Sequence, residues 1–565
     1  MDSSHQPSVD EKRSVRAGGR PEDRDEIVAA VENGVVVNAS GYRDQLDRQY
    51  SLLGLAGIAI TIDNAWIALG SSISVSIPSL GLDWLSLHQL FQLLVVFTIG
   101  PLSARLTSLP AGGPKYGRIL GFFTGWINFY GWMFDLAALM QITANICISM
   151  YSVYHQTTYT YEPWQVYITY LLVLWLSTAV VIFANRVIPH TQKIGMFFVI
   201  VGGIITIIVI SAMPKRHASD YFVWKSFTEN NLTGWPGGLA FLLGVLNGAF
   251  TVGTPDAITH MAEELPHPKK DLPKAIGLQI GLGFLYAFCF AIALCYAITD
   301  LDALQGGFNT YPLANIYAQA TAHADGTTNH GATFGLLFII LCSSLLCCVG
   351  TVLANSRIYW ALARDNAVPL SPLFSRVNET LSCPIPATLF VALGAIPLGS
   401  PTAFLNLTGS FIILTTTSYA IPFAANILTR RRYLPSAPGS FRLGKFGTPI
   451  NILAVLFIVL FNALFCFPYD YPTTTESMNY NSVILVGVVA LTALWWVVHA
   501  RRNYPGPRVM ALYIHGGDIT GERVQVSEGV EAPGSGLEQE GYGGVGVFRE
   551  KPQEKKKGSD GGILP

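Results

Sequence analysis

Leu55-Ala56-Gly57-Ile58-Ala59-Ile60-Thr61-Ile62-Asp63-Asn64-Ala65-Trp66-Ile67-Ala68-Leu69-Gly70 is an apolar run with a carboxylate and an amide at its centre. The run from Leu239 to His260 is interrupted in a similar way, by Gly253-Thr254-Pro255-Asp256. A carboxylate halfway along a membrane span is costly in hydrocarbon, so it lines a protein-enclosed or watered site. Gly and Pro beside it free backbone groups that a cavity, an ion or a ligand must satisfy. Two broken helices in corresponding places are the sequence pattern of a secondary transporter's binding site.

Composition points the same way. Hydrophobic residues make up 51% of the 565, charged residues only 13%, and mean hydropathy is +0.41. Soluble domains carry roughly 25% charged residues. A net charge of -1 argues against a basic nucleic-acid binder. None of the eight cysteines stands in a CxxC pair, so the sequence implies neither a disulfide framework nor a zinc site. Cys347-Cys348 is expected to pack as two small hydrophobes.

A spanning helix needs about 20 mostly apolar residues. By that measure spans one to six are expected at Leu52 to Ile77, Leu85 to Leu106, Ile119 to Ser149, Trp164 to Phe183, Ile194 to Met213 and Leu239 to His260. Spans seven to twelve are expected at Ala275 to Ile298, Thr333 to Leu353, Ile385 to Leu398, Phe404 to Ile427, Ile450 to Phe467 and Val483 to His499. Residues 1–49 and 503–565 are polar, have no apolar leader segment, and read as disordered cytosolic tails around a membrane domain at 50–502. Basic residues gather in the loops on one side. They include Arg118, Arg186, Lys274, Arg357, Arg364, Arg376 and Arg430, whereas the opposite loops carry little beyond Lys215, Arg216 and Lys225. Positive loops stay in the cytosol, which places both termini there.

Four spaced stretches carry a family resemblance. Tyr50 to Gly57 with Asp63 to Gly70, Gly125-Trp126-Ile127-Asn128-Phe129-Tyr130-Gly131-Trp132, Gly253 to Ala257 with His260 to Glu264, and Ser356-Arg357 with Ala363 to Pro369 fall in the order found in fungal amino acid/choline permeases. The chain thus resembles the choline transport protein and GABA permease group of the amino acid–polyamine–organocation superfamily over about residues 48 to 500. The resemblance implies an all-α polytopic membrane protein of about 12 helices, with a broken-helix inverted-repeat (5+5) fold plus two extra helices. It also implies uptake by alternating access at a fungal plasma membrane. Pro78 to Ala111 departs from the family, with Arg105 where relatives carry an acidic motif.

Half-helix ends at a break attract the charged ends of a small zwitterion or cation. The candidate substrate-binding set is Asp63, Asn64, Ala65, Trp66, Trp132, Asp135, Phe250, Gly253, Thr254, Pro255 and Asp256. Asp135 is a third intramembrane acid, one helical turn beyond Trp132. A quaternary ammonium offers no hydrogen-bond donors and needs aromatic faces, which Trp66, Tyr130, Trp132, Phe250 and Tyr286 can supply. Each of these rings taken alone reads first as ordinary packing or an interfacial anchor.

The expected substrate is choline, then an amino acid such as GABA, then a polyamine, with a co-transported proton carried by an intramembrane acid. Burial favours the neutral form of a carboxyl group, which suits that task. Ser343, Ser344 and Thr351 are the candidate oxygens for a sodium ion instead. No catalytic residues, metal or cofactor are expected. His260-Met261-Ala262-Glu263-Glu264 is not HExxH and reads as a cytosolic helix end whose charges help gating. A non-transporting nutrient sensor of the same fold is the remaining alternative.

Overall fold

The computed structural model describes residues 29–32, 35–37, 51–73, 113–156, 158–225, 231, 233–265, 268–301, 303–304, 311–400, 403–430, 444–474, 478–506, 537–542 and 545–550. The expected second span and the divergent stretch from Pro78 to Ala111 lie outside them.

Among the described residues nine helices are long and apolar enough to cross a membrane. They match spans one, three, four, five, seven, eight, ten, eleven and twelve, and the expected spans six and nine contain the shorter apolar helices Gly237–Thr251 and Ile385–Leu398. The membrane unit is therefore all-α and polytopic.

Span three is the longest helix, Gly113–Tyr154, and it packs along span eight, His330–Arg364, and span ten, Phe404–Leu428. Span one lies against spans five and seven, and 89% of its apolar window is buried. Spans eleven and twelve sit at the periphery, with windows only 28% and 17% buried and leucine and valine side chains turned outward. A helix apolar all round belongs in the middle of such a bundle, and one with an exposed apolar face meets lipid.

Both expected breaks are present. Span one runs as Leu52–Asp63 and resumes as Ala65–Ser71. The single residue between the halves, Asn64, is left-handed at φ 39° and ψ 41°, a conformation that asparagine adopts far more readily than most residues. Span six runs as Gly237–Thr251, loses helical geometry at Val252, and resumes as a 3₁₀ helix at Ala257–Glu264. Gly253 is required there, because a Cβ would stand 2.6 Å from a ring carbon of Phe411 and 2.8 Å from Ile412. The short helix Pro312–Ala320 precedes span eight, and the Tyr311 hydroxyl before it donates to Ser71 Oγ at 2.6 Å.

The chain termini form a separate compact unit. Strands β1 (Ala29–Glu32), β2 (Val35–Val37), β3 (Leu537–Tyr542) and β4 (Val545–Glu550) make one antiparallel sheet in the order β2-β1-β4-β3. The sequence reading expects disordered tails there.

Candidate functional site

The two breaks meet through Asp63. Its Oδ1 accepts from Thr254 Oγ1 of the span-six break at 3.3 Å and from Gln279 Nε2 of span seven at 3.0 Å. Gln279 also donates to the Thr254 carbonyl at 3.0 Å, which gives the opened backbone of span six a partner. Gly283, one turn further along span seven, lets Asp63 approach, since a Cβ there would lie 2.6 Å from its Oδ2.

Span eight closes the span-one break from the other side. Ser343 Oγ donates to Asn64 Oδ1 at 3.2 Å and Cys347 Sγ to the Ile62 carbonyl at 3.3 Å. These contacts lie one turn apart on one face of the helix. Cys347 thus does more than fill space, and its neighbour Cys348 faces Thr143 Oγ1 of span three at 3.2 Å.

Asp256 is fully buried and holds spans three and six together. Its Oδ2 accepts from Asn128 Nδ2 at 2.9 Å and Trp132 Nε1 at 3.2 Å, and His260 Nε2 lies 3.1 Å away. The Tyr419 side chain of span ten lies against the same carboxylate.

Asp135 is 1% exposed, and its Oδ2 has no hydrogen-bond partner among the described residues. It lies within electrostatic reach of Asp256, Tyr419, Cys347 and Cys348, at the meeting of spans three, six, eight and ten. Among the described residues no lysine or arginine pairs with Asp63, Asp135 or Asp256, and His260 is the one basic side chain in contact. Three buried acids with so little compensation make a site suited to positive charge.

The remaining candidates divide. Trp132 and Phe250 meet through Phe411 of span ten, with ring centroids 6.2 Å and 6.0 Å from it. Gly253 and Pro255 also floor a cavity of about 70 Å³ between spans six, ten and eleven, lined in addition by Thr416, Tyr419, Phe457 and Phe461. Ala65 is buried in the packing between span one and Gly283. Trp66 turns away onto span five, where its Nε1 donates to the Val199 carbonyl at 3.1 Å, and it packs edge-on against Phe290.

Trp66→Phe is therefore expected to cost about 1 kcal/mol, the net worth of one hydrogen bond. Substrate preference should stay unchanged. Thermal midpoints and competition assays on the purified protein check both; an altered preference would show that this ring touches substrate.

Asn128, Gln279 and Phe411 are missing from the candidate set, and Ser343 stands in the sequence reading only as a sodium oxygen. Asn128, Trp132 and Asp135 follow an i, i+4, i+7 spacing, which is a single helix face and a legible signal. Gln279 is an isolated amide in an apolar run. Nothing local marks Phe411. The candidate sodium oxygens are engaged as donors: Ser343 to Asn64, Ser344 to the Leu341 carbonyl and Thr351 to the Cys347 carbonyl.

Arg357 and Glu264 form a second buried cluster. Arg357, expected in a loop, lies inside span eight at 1% exposure. Its Nε donates to Glu264 Oε1 at 2.8 Å and its Nη2 to Asn185 Oδ1 at 3.3 Å. Asn185 in turn donates to the Ser382 carbonyl at 2.7 Å. Span six, span eight and two connecting loops are thereby tied at one end of the bundle. His260 also differs from its expected place at a helix end, since it belongs to the acid cluster.

Two broken spans joined by buried acids within a helical membrane bundle define a solute carrier rather than an enzyme. The chain belongs to the amino acid permease family, whose model matches residues 56–490. It is 30% identical to a choline transporter of Saccharomyces cerevisiae over 81% of this chain and 83% of that protein. It is 29% identical to an amino-acid permease of Arabidopsis thaliana, covering 70% and 78% of the two chains. Similarity to a putative polyamine transporter of Candida albicans is 25% over 83% and 88%.

Proposed function

We propose that this transporter moves a small organic cation, choline first, across the fungal plasma membrane by alternating access, coupled to a proton. The observation that carries this reading is Asp135, a buried carboxylate with an oxygen that no donor among the described residues satisfies. Such an oxygen suits a ligand's cationic nitrogen. Trp132 and Phe250, linked by Phe411, would supply the aromatic surface that a quaternary ammonium needs.

In this reading Asp63, Asn64, Ala65 and Gly253 to Asp256 form the wall that moves. Asp63 sits at the span-one break and bonds to the span-six break and to span seven, so its protonation would be felt by spans one and six together. Spans one and six rock against spans three, eight and ten, and both termini face the cytosol. The similarity to an amino-acid permease and a putative polyamine transporter keeps amino acids and polyamines as the second substrate reading.

Uptake of labelled choline, GABA, amino acids and polyamines into transporter-deficient yeast tests the proposal. Saturable choline uptake that rises when the outside is made acidic is expected. Uptake of neutral amino acids alone would overturn the cation reading. Silence toward all of them, with surface expression established, would favour a sensor.

A further inference from the structure

We infer that Thr61 and Trp66 are positioning residues that clamp the two halves of span one to span five and hold the break at Asp63 and Asn64 closed. The inference rests on the alternating access of the preceding section. Thr61 belongs to the half Leu52–Asp63 and Trp66 to the half Ala65–Ser71. Each donates to a backbone carbonyl of span five: Thr61 Oγ1 to Gln192 at 3.0 Å and Trp66 Nε1 to Val199 at 3.1 Å. Both donor side chains are fully buried.

Span five accommodates a donor at each of these two points. It runs as Ile188–Phe197, a single π-helical turn Phe198–Gly202, and Gly203–Ala212. Gly195 stands opposite Thr61, where a Cβ would come within 2.5 Å of Cγ2 and 2.7 Å of Oγ1. Gly203 stands opposite Trp66, where a Cβ would lie 3.1 Å from Nε1. Each accepting carbonyl thus has a glycine about one turn further on, and the missing side chain lets the donor approach. Val199 itself lies in the π turn, a rare geometry that is frequent at functional sites.

Two clamps on either side of a one-residue break restrain more than one would. A single bond leaves the other half-helix free to pivot about Asn64. Two bonds fix both halves against span five, and with them the direction of Asp63 and of the half-helix ends. A bond made when the break is closed and lost when it opens biases that equilibrium by its own strength. For a hydrogen bond between spans the bias is roughly three- to tenfold.

Cys347 supplies a native reporter for the test. Its Sγ donates to the Ile62 carbonyl and is fully buried, so a water-soluble reagent reaches it only when span one leaves span eight. The purified full-length protein is treated with a methanethiosulfonate bearing a trimethylammonium group, whose charge keeps it out of lipid. Modification at Cys347, read by peptide fragmentation, then follows the fraction of time that the break is open. Thr61→Val and Trp66→Phe should each label roughly three to ten times faster than the wild type. Thr61→Ser keeps the hydroxyl and should label at the wild-type rate. Tyr170→Phe is the control, because it removes a bond of the same kind between spans four and nine, from the Tyr170 hydroxyl to the Ala395 carbonyl at 2.7 Å. It should leave the rate unchanged. Trp66→Phe carries the test should Thr61→Val fold poorly. Equal rates in the wild type and both clamp variants would overturn the inference and leave alternating access standing. Equally fast labelling of Tyr170→Phe would also overturn it, since any loosened bundle would then suffice. A Cys347 that stays unmodified in every folded variant would overturn the opening of this break, and the clamps with it.

Discussion

Asp135→Asn is expected to abolish binding and uptake of an organic cation while leaving the protein at least as stable as before. The side chain is 1% exposed and its Oδ2 has no hydrogen-bond partner among the described residues. Asparagine has nearly the same shape, so the packing of spans three, eight and ten should survive. The substitution removes one full charge from a site where no lysine or arginine among the described residues balances it. At an effective dielectric of about 20, a cation about 4 Å from a carboxylate gains roughly 4 kcal/mol, close to three orders of magnitude in affinity. An isolated buried carboxylate costs folding energy, so its removal should not lower the thermal midpoint. Binding assays and thermal melts on one preparation separate the two effects. Unchanged choline affinity would remove Asp135 from the substrate site.

Arg357→Met should do the opposite and strike the fold first. Arg357 and Glu264 are both buried and lie 2.8 Å apart. Removing one member of a buried pair leaves the other charge uncompensated and costs about 3–5 kcal/mol. The Asn185 amide loses its guanidinium partner at the same time. The expected result is a markedly lower thermal midpoint and poor surface expression, with uptake lost as a consequence. The double variant Arg357→Met with Glu264→Met should recover much of the stability, because a buried pair gives little over well-packed apolar side chains. If the double variant is stable but still cannot transport, the pair serves the conformational cycle as well as the fold. A single variant as stable as the wild type would show that the pair carries little energy.

Reading the chain residue by residue reaches far in this protein because lipid imposes simple rules. Each spanning helix must satisfy its own backbone and present about 20 apolar residues, so the spans show as hydropathy. Each of the nine membrane-length helices among the described residues overlaps an expected span, several running past its ends. An acid flanked by helix-breaking residues is equally conspicuous, which is why Asp63 and Asp256 stand out before any coordinates.

Partners are less legible. Trp66 looks like a site aromatic because it follows Asp63-Asn64, yet its rotamer sends the indole to Val199, 133 residues away. His260 looks like a helix end because charged residues follow it. Its place one turn after Asp256 sets it beside that carboxylate, and its ring meets Trp132 of span three. Arg357 looks like a loop cation because it lies near a span end, but helix His330–Arg364 continues past it and buries it against Glu264.

The sequence by itself determined the membrane class, the placing of the spans, the two breaks and the identity of the three intramembrane acids. These follow from hydropathy and local backbone chemistry. Tertiary structure alone decided which partners each acid meets. Asp256 Oδ2 has two donors from span three while its Oδ1 has none among the described residues, Asp63 is tied to spans six and seven, and Asp135 Oδ2 has no partner among the described residues. All three are aspartates in apolar runs, alike to any local reading. What separates them is the set of polar atoms that distant helices bring within about 3 Å, and hydrogen bonds act only at that range.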